Sequence, residues 1–88
     1  MAKRSRVWPE WWGWELDISD HTHENMPVRG FTELDLRRMM ERATNFRPDI
    51  LEGRWRIETR FQGKPWEVIV EPAMDKQLLV VVTAYDVN

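Results

Sequence analysis

Residues 21–30, HTHENMPVRG, contain both histidines of the chain together with an asparagine and an arginine. His21, Asn25 and Arg29 are spaced four residues apart, which aligns them on one face of a helix if the helix continues through Pro27. A histidine titrates near neutral pH and can act as a general base or acid. Cleavage of RNA without a metal needs such a base, an acid for the leaving oxygen, and positive charge at the phosphate. The segment is therefore a candidate site for metal-independent cleavage of RNA.

A run of arginines on a predicted strand offers a second set of phosphate ligands. Ten of the 13 basic side chains are arginine, whose planar guanidinium suits phosphate and carboxylate groups. Arg54, Arg56 and Arg60 are candidate substrate-binding residues, together with Asn25 on the helix. The alternative for Arg56 and Arg60 is a solvent-exposed row of ion pairs with glutamates of the next strand, whereas Arg54 has no such partner in the predicted hairpin.

Arg38 and Arg42, one helical turn apart on the predicted second helix, form a further candidate surface for phosphate, with a solvated helix face as the alternative. Charge is segregated along the chain, because residues 29–64 carry nine basic and six acidic side chains whereas residues 65–88 carry one and four. The net charge of −2 argues against a strongly basic protein of the kind that binds nucleic acid without specificity. The charge pattern is still compatible with a phosphate-bearing partner.

Tyr85, in the last predicted strand, is a candidate for stacking on a base or for donating a proton. The period of two places it on one strand face with Thr83, Val81 and Leu79. The alternative is a core residue whose hydroxyl reaches water.

Hydrophobic periodicity predicts the helices and strands that must position these residues. Alternation over residues 12–18 predicts a first strand. Ser19 or Asp20 then caps a short helix, which Pro27 bounds or kinks because proline has no amide to donate and its ring crowds the preceding turn. Gly30 lets the chain turn after this helix.

A longer amphipathic helix is predicted over residues 31–46. Thr32 and Asp35 form a capping box at its start. Asn45 and Pro48 signal its end. Its apolar stripe consists of Leu36, Met39, Met40, Ala43 and Phe46.

Strand periodicity returns after the second helix and continues to the end of the chain. Gly63 and Lys64 are predicted to form the turn of a hairpin. The opposed pairs are then Phe61 with Trp66, Ile57 with Val70, Arg60 with Glu67 and Arg56 with Glu71. The predicted fold is α+β, with an N-terminal strand and two helices packed on a twisted antiparallel sheet of about four strands.

The 88 residues are predicted to form a single domain, 1–88, in which residues 1–11 are an N-terminal arm that contains Trp8 and Trp11. The arm is expected to fold back over the exposed sheet face or to mediate self-association. The chain has no cysteine, which excludes a thiolate metal site and is typical of a reducing, cytoplasmic location. No apolar run is long enough for a signal peptide or a membrane span. Neither a cofactor nor a membrane partner is expected.

The chain resembles a bacterial domain-of-unknown-function family in the RelE/ParE-like toxin group. The resemblance lies in the order of its motifs, which are H-x4-M-x2-R-G-F-x-E, a helix, G-R-W-x-I-E-T-R, W-E-V-I-V-E-P and V-V-T-A-Y. That group belongs to a larger fold set with barnase, EndoU and certain colicin nucleases. The resemblance covers residues 14–87. It implies a RelE/ParE-like fold and a toxin that an antitoxin protein holds in check.

The resemblance also implies where a ribonuclease site would lie. The corresponding residues are His21, Arg29, Thr83 and Tyr85, and RNA would be the substrate. In the pattern of the family an arginine or lysine commonly follows the histidine by four residues, but this chain has Asn25, which removes a phosphate-binding charge. The alternative class of function is a binding module on the same scaffold, either a toxin that blocks a protein target such as a topoisomerase or a domain that has lost catalysis. Self-association through the tryptophan arm or a sheet edge stays open.

Overall fold

Five strands form one sheet in the computed structural model, which describes residues 7–87. They are β1 Glu15–Ile18, β2 Asn45–Pro48, β3 Trp55–Phe61, β4 Lys64–Ala73 and β5 Leu78–Asp86. The strand order is β1-β5-β4-β3-β2, and β1 runs parallel to β5 while the other neighbours are antiparallel. Two helices, α1 Asp20–Arg29 and α2 Glu33–Glu41, connect β1 to β2. The α+β class is confirmed, but the sheet is mixed and has five strands where an antiparallel sheet of about four was predicted.

The core lies on one face of the sheet, called the inner face below. Its fully buried strand residues are Ile57, Val68, Val70, Leu79 and Val81. They form one cluster with Met26 of α1 and with Leu36 and Met39 of α2, so both helices cover this face. The opposite face, called the open face, carries Arg47, Arg56, Glu58, Glu67, Ile69, Thr83 and Tyr85 at alternate strand positions.

The strand β2 was not predicted. Helix α2 ends at Glu41, and residues 45–48 form an edge strand that pairs with β3. Pro48 favours the extended end of this strand, since the residue before a proline, Arg47, avoids helical backbone. Phe46, expected on the helix stripe, instead packs from β2 against Trp55, with 5.8 Å between ring centroids.

The tryptophan-rich N-terminus packs as a cluster, and the strand predicted over residues 12–18 is present only in its second half. Residues Glu10–Gly13 form one turn of 3-10 helix, and strand β1 begins only at Glu15. Trp11 is 5% exposed, and Trp8 lies 5.0 Å from Phe46 between ring centroids. The described part of the arm, residues 7–11, packs on the inner side of the sheet, so the expected fold-back over the exposed face is wrong as to the face. The first six residues of the predicted arm lie outside the described part of the chain.

Both helices begin at the predicted caps. The Ser19 hydroxyl accepts from the Thr22 amide at 3.2 Å, and α1 continues through Pro27 to Arg29, where Gly30 ends it in the left-handed conformation. The loss of one amide so close to the helix end leaves the rest of the helix intact. Within residues 7–87, neither helix has the length and apolar character that crossing a bilayer requires.

The hairpin between β3 and β4 turns one residue earlier than predicted. Gln62 and Gly63 both have positive φ, 53° and 76°, as a two-residue turn of the primed type requires. Phe61 therefore opposes Lys64. The register moves by two residues, which keeps every side chain on its predicted face but changes its partners. The predicted cross-strand pairs of Arg56 with Glu71 and Arg60 with Glu67 are wrong, because Ile69 and Pro65 occupy those positions.

A β-bulge in β5 changes which side chains share a face. Ile69 pairs with Thr83 whereas Val70 pairs with Val81, so Val82 is an extra residue. Val81 therefore points into the core, while Thr83 and Tyr85 lie on the open face. The predicted common face for Tyr85, Thr83, Val81 and Leu79 is wrong, because the period of two is interrupted at the bulge.

Helix α1 satisfies the backbone of the bulge. The Ser19 amide and the buried Thr22 hydroxyl donate to the carbonyl of Val81 at 3.1 and 3.0 Å. The Ser19 hydroxyl donates to the carbonyl of Val82 at 3.2 Å. The N-terminus of α1 thus replaces β1 as the neighbour of β5 at the point where β1 has ended.

We predict that Thr32→Ala lowers the free energy of unfolding by about 1 kcal/mol, the usual contribution of an N-cap hydroxyl. Thr32 accepts from the Asp35 amide at 3.1 Å and donates its own amide to the Asp35 carboxylate at 2.9 Å, which confirms the predicted capping box. Urea unfolding measures the change. Thr32→Ser keeps the acceptor and should match the wild type; equal stability of Thr32→Ala would contradict the assigned cap.

Candidate functional site

The structure places the two helical candidates His21 and Asn25 together on the surface of α1. His21 is exposed. The Asn25 amide nitrogen donates to the backbone carbonyl of His21 at 2.8 Å and lies 3.3 Å from its ring nitrogen Nε2. Among residues 7–87, the side-chain hydrogen-bond partner of His21 is Asn25. The histidine is thus held by the asparagine and is not joined to the other predicted catalytic residues.

Arg29 and Thr83 are brought into contact, as a shared site would require. One guanidinium nitrogen of Arg29 donates to the Thr83 hydroxyl at 3.0 Å and to the carbonyl of Ala84 at 2.9 Å. The pairing of β1 with β5 stops at Val81, so the Ala84 carbonyl has no strand neighbour on that side. Arg29 therefore donates hydrogen bonds to the part of β5 that has no strand neighbour, and this structural role accounts for its position.

Tyr85 belongs to a polar network on the open face. Its hydroxyl donates to the Glu67 carboxylate at 2.8 Å, and the Glu67 side chain is only 10% exposed. Arg47 reaches this carboxylate at 3.3 Å and Arg56 at 3.7 Å. Two guanidinium groups and a hydroxyl compensate the buried negative charge, which would otherwise be costly. Glu67 and Arg47 were not identified from the sequence, although a glutamate within the apolar segment WEVIV signals a partnered buried charge.

Burial raises the pKa of Tyr85 above its ordinary value, and the hydrogen bond to Glu67 and the negative charge of that carboxylate raise it further. The charge of Arg56 acts in the opposite direction. The phenol is therefore protonated at neutral pH, and its proton points to Glu67. In this state Tyr85 can donate a hydrogen bond but cannot serve as a base.

The predicted substrate-binding arginines of β3 are largely engaged with other groups. Arg56 donates to Asp49 at 2.7 Å, and this hydrogen bond lowers the pKa of Asp49 and raises that of Arg56. Arg54 donates to Glu71 at 3.0 Å, so the prediction that Arg54 lacks a carboxylate partner is wrong. The shifted hairpin register is the physical reason. On the open face, arginine charge is mainly neutralised within the protein.

A different set of arginines lines a pocket between α2 and the β3–β4 hairpin. The pocket has a volume of about 220 Å³ and is lined by Asp35, Arg38, Met39, Arg42, Arg60, Phe61 and Gln62. We call it the arginine pocket. Arg38 lies in the last turn of α2, Arg42 is the residue that caps the C-terminal end of this helix, and Arg60 comes from the end of β3. The structure thus joins the two helical arginines to one of the three predicted on the strand.

The arginine pocket carries uncompensated positive charge. Across residues 7–87, no carboxylate lies within ion-pair distance of Arg38, Arg42 or Arg60. Arg60 donates only to the carbonyl of Gly63, at 2.7 Å. The one carboxylate in the lining, that of Asp35, accepts from the Thr32 amide. Three guanidinium groups line one cavity and have no carboxylate partner within residues 7–87, so the pocket is suited to bind an anionic group.

No group of three or more His, Asp or Glu side chains within residues 7–87 is placed to hold a metal ion. No protein-family model matches the chain, and no curated protein or solved structure matches it either. Membership of the RelE/ParE-like group stays a prediction. The candidate site is therefore identified from the geometry of the structure alone.

We predict that Tyr85, the only tyrosine of the chain, titrates with a pKa above the ordinary value of about 10. Because its folded pKa is raised, the protonated phenol stabilises the fold below pH about 10, and this contribution is lost as the pH rises through the folded pKa. Glu67→Gln removes the charge that disfavours the phenolate, so the pKa should fall. The ultraviolet absorbance of the phenolate measures the midpoint.

The matched control is Glu71→Gln, which removes an exposed carboxylate from the same strand. It should leave the pKa of Tyr85 unchanged. A wild-type midpoint at or below about 10 would contradict the partly buried hydrogen bond between Tyr85 and Glu67.

Proposed function

We propose that this domain is a binding module that recognises a phosphate-bearing partner through the arginine pocket. The observation that carries the proposal is the convergence of Arg38, Arg42 and Arg60 on one cavity, where no carboxylate of the described chain pairs with them. Guanidinium groups bind phosphate oxygens with strong, charge-assisted hydrogen bonds, often two at a time. The partner would supply the negative charge that the pocket lacks.

The contrast with the open face supports this assignment. There, Arg47, Arg54 and Arg56 all form ion pairs with carboxylates, and a phosphate would have to break those pairs. At the pocket, no internal ion pair competes. An incoming anion would also relieve the repulsion between Arg38 and Arg42, which face each other one helical turn apart.

The acidic net charge of −2 is compatible with a local anion site. At physiological ionic strength, charges more than about 8 Å apart are largely screened from each other in water. Carboxylates that lie farther than this from the pocket therefore have little influence on a bound ligand. Recognition would depend on a few directed contacts rather than on the overall field of the protein.

The size of the pocket limits what it can enclose. Sites that surround a whole small molecule usually measure about 300–1,000 Å³, whereas the arginine pocket has about 220 Å³. It is large enough for a phosphate group and neighbouring atoms. The proposed partner would place one anionic group in the pocket and leave the remainder of its structure outside.

We predict that inorganic phosphate binds to the wild-type protein and shifts the amide resonances of α2 and of the β3–β4 turn. Arg38→Gln or Arg42→Gln should weaken this binding at least about tenfold, because a hydrogen bond to a charged group contributes about 1.5–3 kcal/mol. Heteronuclear NMR titration measures both the location and the dissociation constant.

Arg37→Gln is the matched control for this titration. Arg37 lies on the same helix and carries the same charge, but it pairs with Glu33 at 3.0 Å and does not line the pocket. It should leave phosphate binding nearly unchanged. Equal weakening by all three substitutions would indicate a diffuse charge effect, and an absence of phosphate binding by the wild type would refute the proposal.

A second proposal is the toxin-type ribonuclease, which cleaves RNA by attack of the 2′-hydroxyl. Two observations favour it. Helix α1 continues through Pro27, so His21, Asn25 and Arg29 belong to one helix. Arg29 also contacts Thr83, which supports a site built from these residues. His21 would be the base or acid and Arg29 the phosphate ligand, and an antitoxin protein would cover them.

Induced expression in bacteria, followed by electrophoresis of total RNA, tests the ribonuclease. We predict that the wild type or the Asn25→Arg variant cleaves RNA, that His21→Ala in the active form abolishes cleavage, and that His23→Ala retains it. His23 is the matched control because it is an exposed histidine on the same helix. Intact RNA with both the wild type and Asn25→Arg would eliminate this second proposal.

A further inference from the structure

The net charge of the arginine pocket favours a phosphate monoester over a phosphate diester. Arg38, Arg42 and Arg60 contribute three positive charges and Asp35 contributes one negative charge, which leaves a local excess of two. A phosphate monoester carries a charge of about −1.5 to −2 at neutral pH and has three terminal oxygens, whereas a diester within a nucleic-acid strand carries a single charge. The pocket therefore matches a terminal phosphate monoester better than an internal diester.

The rest of the lining is suited to a flat, partly polar group. Phe61 is half-buried, and its ring is held edge-to-face against the buried Trp66, with 5.4 Å between centroids and 86° between planes. Such a fixed ring is a platform on which a nucleobase can stack without losing much side-chain entropy. Phosphoserine and phosphothreonine have no ring that would use these contacts, and the ring of phosphotyrosine lacks the hydrogen-bonding edge of a nucleobase.

Gln62 adds hydrogen-bonding groups beside the platform. It is exposed, lines the pocket and stands at the first position of the hairpin turn, with φ 53°. Glycine, asparagine and aspartate are the residues that such a position favours, so this turn carries a longer side chain than its backbone demands. The terminal amide both donates and accepts, as the hydrogen-bonding edge of a nucleobase requires.

We infer that the arginine pocket binds a nucleoside monophosphate, with the phosphate on Arg38, Arg42 and Arg60 and the base on Phe61 and Gln62. This inference rests on the proposed function, since it names the ligand of the same site. The volume of about 220 Å³ is too small to enclose the whole nucleotide, so part of the ligand would lie outside the pocket. A free nucleotide and the phosphorylated 5′ end of an RNA strand both present this chemistry.

Titrations of the full-length protein with adenosine 5′-monophosphate, ribose 5-phosphate and inorganic phosphate test the inference. The nucleotide should bind at least about tenfold more tightly than ribose 5-phosphate, because only the nucleotide has a base to stack. Phe61→Leu should bring the nucleotide down to the affinity of ribose 5-phosphate while the binding of ribose 5-phosphate stays unchanged. Phe61→Tyr keeps the aromatic ring and should preserve the difference. The comparison of the ligands on the wild type needs no variant to fold.

The failures of the two proposals are distinguishable. Equal affinities for the nucleotide and ribose 5-phosphate, both weakened by Arg38→Gln, would overturn the nucleotide inference and leave the phosphate site standing. A phosphoserine peptide that binds as tightly as the nucleotide would also overturn it. If none of the phosphates binds, both proposals fail.

The source of the ligand is resolved by short RNA oligonucleotides that carry either a phosphate or a hydroxyl at the 5′ end. Tighter binding of the phosphorylated oligonucleotide than of the free nucleotide would support a strand end as the ligand. Equal binding of the two would support the free nucleotide. Equal binding of the phosphorylated and hydroxyl oligonucleotides would overturn the inference, because the pocket is matched to a monoester.

Discussion

The arrangement of the arginine pocket depends on one buried hydrogen bond at the end of α2. The helix ends at Glu41, too early for the carbonyl of Met39 to find its usual intrahelical partner four residues later. The hydroxyl of Thr59 on β3 donates to this carbonyl, and both residues are buried. A buried carbonyl without a partner costs about 1–3 kcal/mol, so the helix is strongly held at this point of the sheet. That fixed crossing is what brings Arg38 and Arg42 to the end of β3.

The two faces of the sheet contribute to the structure in different ways. The inner face removes apolar surface from water, which is the main favourable contribution to folding. The open face instead matches arginines to carboxylates around the buried Glu67. Ion pairs that are partly exposed contribute little to stability, but their satisfied charges make this face a poor anion site. Positive charge without a carboxylate partner is concentrated beside α2, at the margin of the sheet, and this separation gives the molecule a local preference for anions despite its acidic composition.

Structural features that depend on neighbouring residues can be predicted from the sequence, whereas features that depend on contacts between distant residues cannot. The capping box of Thr32 and the alternation of β3 follow from neighbouring residues, and the structure confirms both. A register shift of two residues keeps each side chain on its face, so hydrophobic pattern alone cannot detect it, and the backbone at Gln62 decides it. The extra residue Val82 and the short strand β2 leave no periodic signal. The pocket itself requires the crossing of α2 over β3, which separate patterns on a helix and a strand do not contain.

The bulge of β5 and the donors from α1 that serve it have a consequence for aggregation. Strand β5 contains LLVVVTAYD, a segment of nine residues with the high β-propensity and apolar character that favour cross-β stacking. It lies inside the sheet, between β4 and β1, and α1 occupies its side where β1 ends. The outermost strands, β1 and β2, have four residues each, which is shorter than the six or seven residues of a typical steric zipper. Within residues 7–87 the native sheet thus presents only short strands at its edges, and β5 becomes available for such stacking only when the sheet opens.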